Sequence, residues 1–128
     1  IADVAIAALR EMALRRQFYI QAGVRDVEAD PPETGTFDVI SVCYFLDRGL
    51  VPALIQALKP GGLVYYQTFS RQCVSGRGPK RAEFRLADQE LLRLFSGLQV
   101  LFYREEGRVG DVQKGFRDEV MYIGRKPD

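Results

Sequence analysis

A chain of 128 residues that is 47% hydrophobic and 27% charged has the composition of one ordinary folded domain, which excludes a disordered or fibrous polypeptide. Eighteen Lys and Arg against seventeen Asp and Glu leave a formal net charge of +1, so no global field draws the chain to nucleic acid or to a membrane surface. Histidine is absent, which removes the commonest general base, the commonest metal ligand and every Ser/His or Cys/His nucleophile pair.

The two cysteines, Cys43 and Cys73, are too few for a disulfide framework and lack the spacing of a zinc site, so a reducing, cytoplasmic setting is expected and no metal. No apolar stretch approaches the roughly 18 to 20 residues of a membrane span, and no leader precedes a cleavage site. A domain of this size buries roughly 65 to 70% of its unfolded surface, provided its set of elements is complete. Because the chain enters an amphipathic pattern at once, as though a strand had just ended, it reads as an N-terminally incomplete domain.

Asp3 can cap a helix running to Arg16, with Ile6, Leu9 and Ala13 on one apolar stripe and Arg10, Arg15 and Arg16 towards its end. Phe18 to Val24 is short, aromatic and β-branched and reads as a strand ending at Arg25-Asp26. Pro31, Pro32 and Gly35 mark a loop. Phe37 to Leu46 is a nearly unbroken apolar run, the form of a central strand covered on both faces.

Leu50 to Leu58 has helical spacing with Pro52 in its first turn, and Lys59-Pro60-Gly61-Gly62 stops it. Leu63 to Phe69 is the next strand. Ser70 to Arg85 is a polar loop of sixteen residues, longer than a plain connection needs. Leu86 to Phe95 returns to helix, and Leu98 to Glu105 with Phe116 to Arg125 form an antiparallel hairpin. This order implies an α/β class: a Rossmann-like, mostly parallel sheet with helices on both faces and a terminal hairpin. Ligands in such sheets bind beyond the carboxyl ends of the strands, here after Val24, Val42 and Thr68.

The run FDVISVCYFL, followed by a helix and then ALKPGGLVYYQTF, resembles the fourth strand, fourth helix and fifth strand of class I S-adenosylmethionine-dependent methyltransferases, in particular small bacterial ones of the tellurite-resistance type. The resemblance covers nearly the whole chain. It implies that residues 1–128 are the C-terminal two-thirds of a single methyltransferase domain, with the glycine-rich loop and the ribose-holding acid upstream of Ile1. It also implies S-adenosylmethionine as cofactor and a small-molecule acceptor.

On that resemblance Asp26 meets the adenine amino group and Val27 supplies a backbone N–H, while Cys43 and Tyr44 lie at the methionine end of the cofactor. From the residues alone, Asp26 reads equally as a solvated loop acid beside Arg25, and Asp30 competes with it. Backbone carbonyls and an aromatic face near Tyr44 suit a sulfonium cation, whereas Phe45 reads as core packing and Cys43 as a small hydrophobe. On the acceptor side stand Arg48, Thr68 and Arg71. Arg48 either orients an oxyanion or pairs with a neighbouring acid, and the basic loop from Arg71 to Arg85 either holds an anionic acceptor or is a solvated charge run.

The expected activity is therefore methyl transfer to a small, anionic acceptor. The alternative is a non-catalytic methyltransferase-like module that binds a nucleotide or a partner, and near-neutral charge argues against nucleic acid.

Overall fold

The computed structural model describes residues 3–128, and the chain divides into two compact units, Ile1–Pro31 and Pro32–Asp128.

In the first unit, helix α1 spans Asp3–Arg15 and keeps Ile6, Leu9 and Met12 half-buried and Ala13 buried, which is the stripe its 3.6-residue period predicts. Asp3 stands in the first turn and Arg15 in the last, each of the sign that complements the helix dipole. The helix ends where Gln17 takes a φ of 58° and the Phe18 N–H reaches back to the Ala13 carbonyl at 2.8 Å.

The segment Phe18–Val24 is not a strand. It has no ladder partner among the described residues, and β propensity without a neighbour leaves the backbone N–H and C=O groups unpaired in extended form. It is held instead by side chains: Arg10 donates through Nε and Nη2 to the Ala22 carbonyl at 3.1 and 2.6 Å.

The second unit carries a four-stranded sheet of β1 (Phe37–Cys43), β2 (Leu58–Phe69), β3 (Gln99–Arg104) and β4 (Glu119–Arg125) in the order β1-β2-β4-β3. β1 and β2 are parallel and the other two pairings antiparallel, so the described sheet is mixed and the terminal hairpin is present. Helix α2 (Val51–Ala57) connects β1 to β2, and α3 (Glu90–Leu94) precedes β3.

Alternation sorts the strands. Val64, Tyr66 and Thr68 of β2 and Val120 and Tyr122 of β4 are buried, together with Leu54 of α2, Leu91 of α3 and Phe95. Phe95 stacks on Tyr122 at 5.4 Å and meets Tyr66 at 5.9 Å, which centres the core on three aromatic rings.

Three further sequence expectations change. β1 is an edge strand of the described sheet: Ile40 and Val42 are half-buried but Phe37 and Val39 are exposed. Hydrophobicity records what a segment can bury, not which neighbours it receives. The helix expected from Leu86 starts only at Glu90, because Leu86 makes an isolated parallel bridge to Ser70 and Gln89 adopts a φ of 59°.

β2 begins at Leu58, five residues earlier than Leu63, with a register shift opposite Phe37 and Val39 that absorbs Lys59-Pro60-Gly61-Gly62. That turn needs its glycines. Gly61 has a φ of 80°, and a Cβ on Gly62 would lie 2.9 Å from the Lys59 carbonyl oxygen and 3.1 Å from that of Asp38. The Lys126 ammonium donates to the carbonyls of Ile55 and Leu58 at 2.9 and 2.8 Å, satisfying the end of α2.

Candidate functional site

Cys43 lies beside Gln67 in the parallel ladder and Glu119 opposite Phe69 in the antiparallel one, so the carboxyl ends of β1 and β2 and the start of β4 share one rim. Tyr44 leaves β1 with a φ of 56°, left-handed backbone that aromatic residues rarely adopt, while its N–H still donates to the Gln67 carbonyl at 2.9 Å. The turn lays the Tyr44 ring against Phe69, centroids 5.2 Å apart, and brings its hydroxyl to 3.0 Å from Glu119 Oε1. The buried Tyr66 hydroxyl fixes the next residue by donating to the Phe45 carbonyl at 2.6 Å, and burial pushes its pKa up to about 12.

Asp118 and Glu119 are 3% and 5% exposed, yet both stay ionised. Burial pushes the Asp118 carboxyl up, but the Ser75 hydroxyl, the N–H groups of Val74 and Ser75 at 2.5 and 3.2 Å, and Arg77 outweigh it and bring it to about 2. Burial opposes ionisation of Glu119 too, and is outweighed by Gln67 Nε2 at 2.8 Å, Arg77 Nη2 at 3.0 Å and the Tyr44 hydroxyl. The same hydrogen bond to Glu119, followed by burial, raises the Tyr44 phenol. Sequence reading missed this acid pair, although two acids opening an apolar strand in Arg117-Asp118-Glu119-Val120 were a visible signal.

Arg48 is spent inside the protein. Its guanidinium chelates Glu90, one contact of 3.0 Å through Nη2 and a shorter one through Nε, and it donates to the carbonyls of Glu83 and Arg85 at 2.7 and 3.0 Å. Its acid is thus Glu90 and not Asp47, whose carboxylate accepts the Gly49 N–H at 3.0 Å. Thr68 stands at the rim but is only 2% exposed, on the core side of β2, whereas Cys43 and Arg71 are exposed.

Asp26 and Val27 belong to the first unit. The Asp26 carboxylate closes a turn by accepting from the N–H groups of Glu28 and Ala29 at 3.1 and 3.3 Å, and Val27 is half-buried. Arg25 pairs with Asp30 at 3.1 Å, so Asp30 is tied and the partner of Arg25 is not Asp26. Among the described residues no helix is long and apolar enough to cross a membrane.

No protein-family model and no curated protein matches this sequence. Solved structures do match its fold. TehB from Haemophilus influenzae superposes with a TM-score of 0.75 at 18% identity, over 97% of this chain and 47% of that one. The [4+2]-cyclase SpnF gives a TM-score of 0.72 at 16% identity, over 98% of this chain and 63% of that one. A methyltransferase dependent on S-adenosylmethionine from Methanosarcina mazei gives 0.65 at 16%, over 98% of this chain and 78% of its own. The chain thus spans about half of TehB and under two thirds of SpnF. The order β1-β2-β4-β3, with a single parallel pair and a terminal hairpin turned back into the sheet, is therefore an instance of the class I S-adenosylmethionine-dependent methyltransferase fold.

Proposed function

We propose that the protein transfers a methyl group from S-adenosylmethionine to a small, anionic acceptor at the rim formed by β1, β2 and β4. The observation that carries this reading is Tyr44, held in a left-handed turn at the end of a parallel strand with its ring on Phe69 and its hydroxyl on a buried carboxylate. An aromatic face backed by negative charge suits a sulfonium, which is attracted by the ring quadrupole and by nearby carbonyl and carboxylate oxygens. The donor groups present fit that cation.

When bound, S-adenosylmethionine supplies an activated methyl group whose leaving group needs no protonation. The chain's part is alignment and exclusion of water. Cys43 and Tyr44 would hold the methionine end, Arg48 would brace the turn after β1 through Glu90, Arg71 would bound the acceptor, and the buried Thr68 would support the rim from the core side. An acceptor that is soft or already ionised makes no demand for a strong base, in keeping with a chain that has no histidine. A cytoplasmic setting belongs to the same reading.

A second reading keeps the fold and drops the reaction, as a nucleotide- or partner-binding module, and SpnF, named as a [4+2]-cyclase, favours keeping it open. Titration calorimetry of S-adenosylmethionine and its demethylated product into the native polypeptide that carries these residues tests both. Binding together with release of demethylated cofactor is the expected result. Binding without release leaves the nucleotide-binding module, and no binding of either ligand removes both it and the methyltransferase and leaves the partner-binding module.

A further inference from the structure

The loop between β2 and α3 borders an open pocket of about 300 Å³ whose wall includes Arg71, Cys73, Lys80 and Arg85 and contains no acid. Arg85 is the unusual member. The residue is 5% exposed, and its guanidinium donates only to neutral oxygens: Pro79 carbonyl at 2.7 Å, Ser70 carbonyl at 2.8 Å, and the Arg77 carbonyl. The face of Phe69 at 5.5 Å adds attraction but no countercharge.

Burying a cation without an anion is costly, and carbonyl dipoles offset that cost only in part. The two other cations on the wall do not relieve it. Arg71 donates Nε to the Ala82 carbonyl at 3.0 Å, and Glu90, an acid it attracts through space, is already chelated by Arg48. Lys80 has no hydrogen-bond or ion-pair partner among the described residues. Three basic residues thus line one open pocket whose wall carries no acid.

We propose that this cavity is the seat of an oxyanion, a carboxylate or phosphate group carried by the methyl acceptor. The carrier rests on the methyltransferase reading; the seat does not. Arg85 forms its floor, and Arg71 and Lys80 close on the anion from the exposed side. The Phe69 ring joins the seat to the rim, since it meets Arg85 on one hand and Tyr44 on the other.

Calorimetry with inorganic phosphate and with acetate on the native polypeptide tests the seat. Saturable binding is expected, weakened about tenfold by Arg71→Gln and again by Lys80→Gln, the loss of one charge-assisted contact each. Arg81→Gln, whose guanidinium pairs with Glu83, is expected to bind phosphate as the parent does. Failure of both anions to bind, or binding indifferent to Arg71→Gln and Lys80→Gln, overturns the seat.

Cofactor binding measured on the same samples separates the two ideas. Phosphate binding with the expected pattern but no affinity for S-adenosylmethionine keeps the seat and removes the methyltransferase reading. Cofactor binding without phosphate binding does the reverse. Release of demethylated cofactor with small amines and thiols, bearing or lacking a carboxylate, identifies the carrier. A KM raised by Lys80→Gln only for the carboxylates supports the acceptor, and indifference to the carboxylate overturns the acceptor as carrier and leaves free phosphate as the occupant.

Discussion

The loop after β2 fastens itself to the sheet at one end and withholds its charges at the other, and the contrast separates structure from ligand chemistry. Around Asp118 and Glu119, two buried carboxylates meet seven hydrogen-bond contacts from Tyr44, Gln67, Val74, Ser75 and Arg77. Around Arg85, a buried side chain meets three carbonyls and the Phe69 ring but no carboxylate, and it shares its pocket wall with two further cations. A self-satisfied cluster of either sign reads as a fastening. A cluster of one sign around a void reads as half of an interaction.

Removing the fastening should have the largest effect. Asp118→Ala strands the Val74 and Ser75 N–H groups and the Ser75 hydroxyl beside a buried hole, and is expected to lower stability by about 2 to 4 kcal/mol in urea unfolding. A loss confined to the error of the measurement would show that the loop does not depend on this acid.

The acid dependence sharpens the same point. Asp118 is depressed from 3.8 to about 2 in the folded protein, so its contribution is fully present above pH 4 and is lost as pH falls towards 2. The urea midpoint should therefore drop across that window in the parent and drop less in Asp118→Asn. Equal slopes would place the acid sensitivity elsewhere.

Tyr44→Phe removes one hydrogen bond from Glu119 at a half-exposed position, and a cost of no more than about 1 kcal/mol is expected, because Gln67 and Arg77 still hold the carboxylate. Its sharper readout is the phenol itself: in the parent, the Tyr44 ring carbon resonance should titrate above pH 10, and Glu119→Gln should bring it down. The smallest effect is expected from Arg81→Gln, an exposed pair with Glu83, which should leave the unfolding midpoint unchanged.

Much of the second unit was legible in its residues. The apolar run from Phe37, the proline in the first turn of α2, the glycines that turn into β2 and the hairpin of β3 and β4 are local patterns, and local sterics enforce them. Phe18–Val24 was misread because β propensity is redeemed only by a neighbouring strand. The start of α3 was misplaced because Phe69 and Arg71, on either side of Ser70 sixteen positions upstream, take the N–H and the carbonyl of Leu86.

The site was legible in part. Tyr44 was singled out for its aromatic face, but the left-handed turn that aims it, and Glu119 that receives its hydroxyl from 75 positions away, follow from strand order. Arg48 and Arg85 look alike as letters, and only their surroundings make one a brace and the other an unmet charge.

The sequence by itself determined where helices and strands could form, that these residues include no histidine, and that a basic loop follows the strand ending at Phe69. Tertiary structure alone decided which charges are paired. Pairing depends on distances between residues far apart in the chain, and in a low-dielectric interior those distances, not the composition, set the sign and size of each interaction.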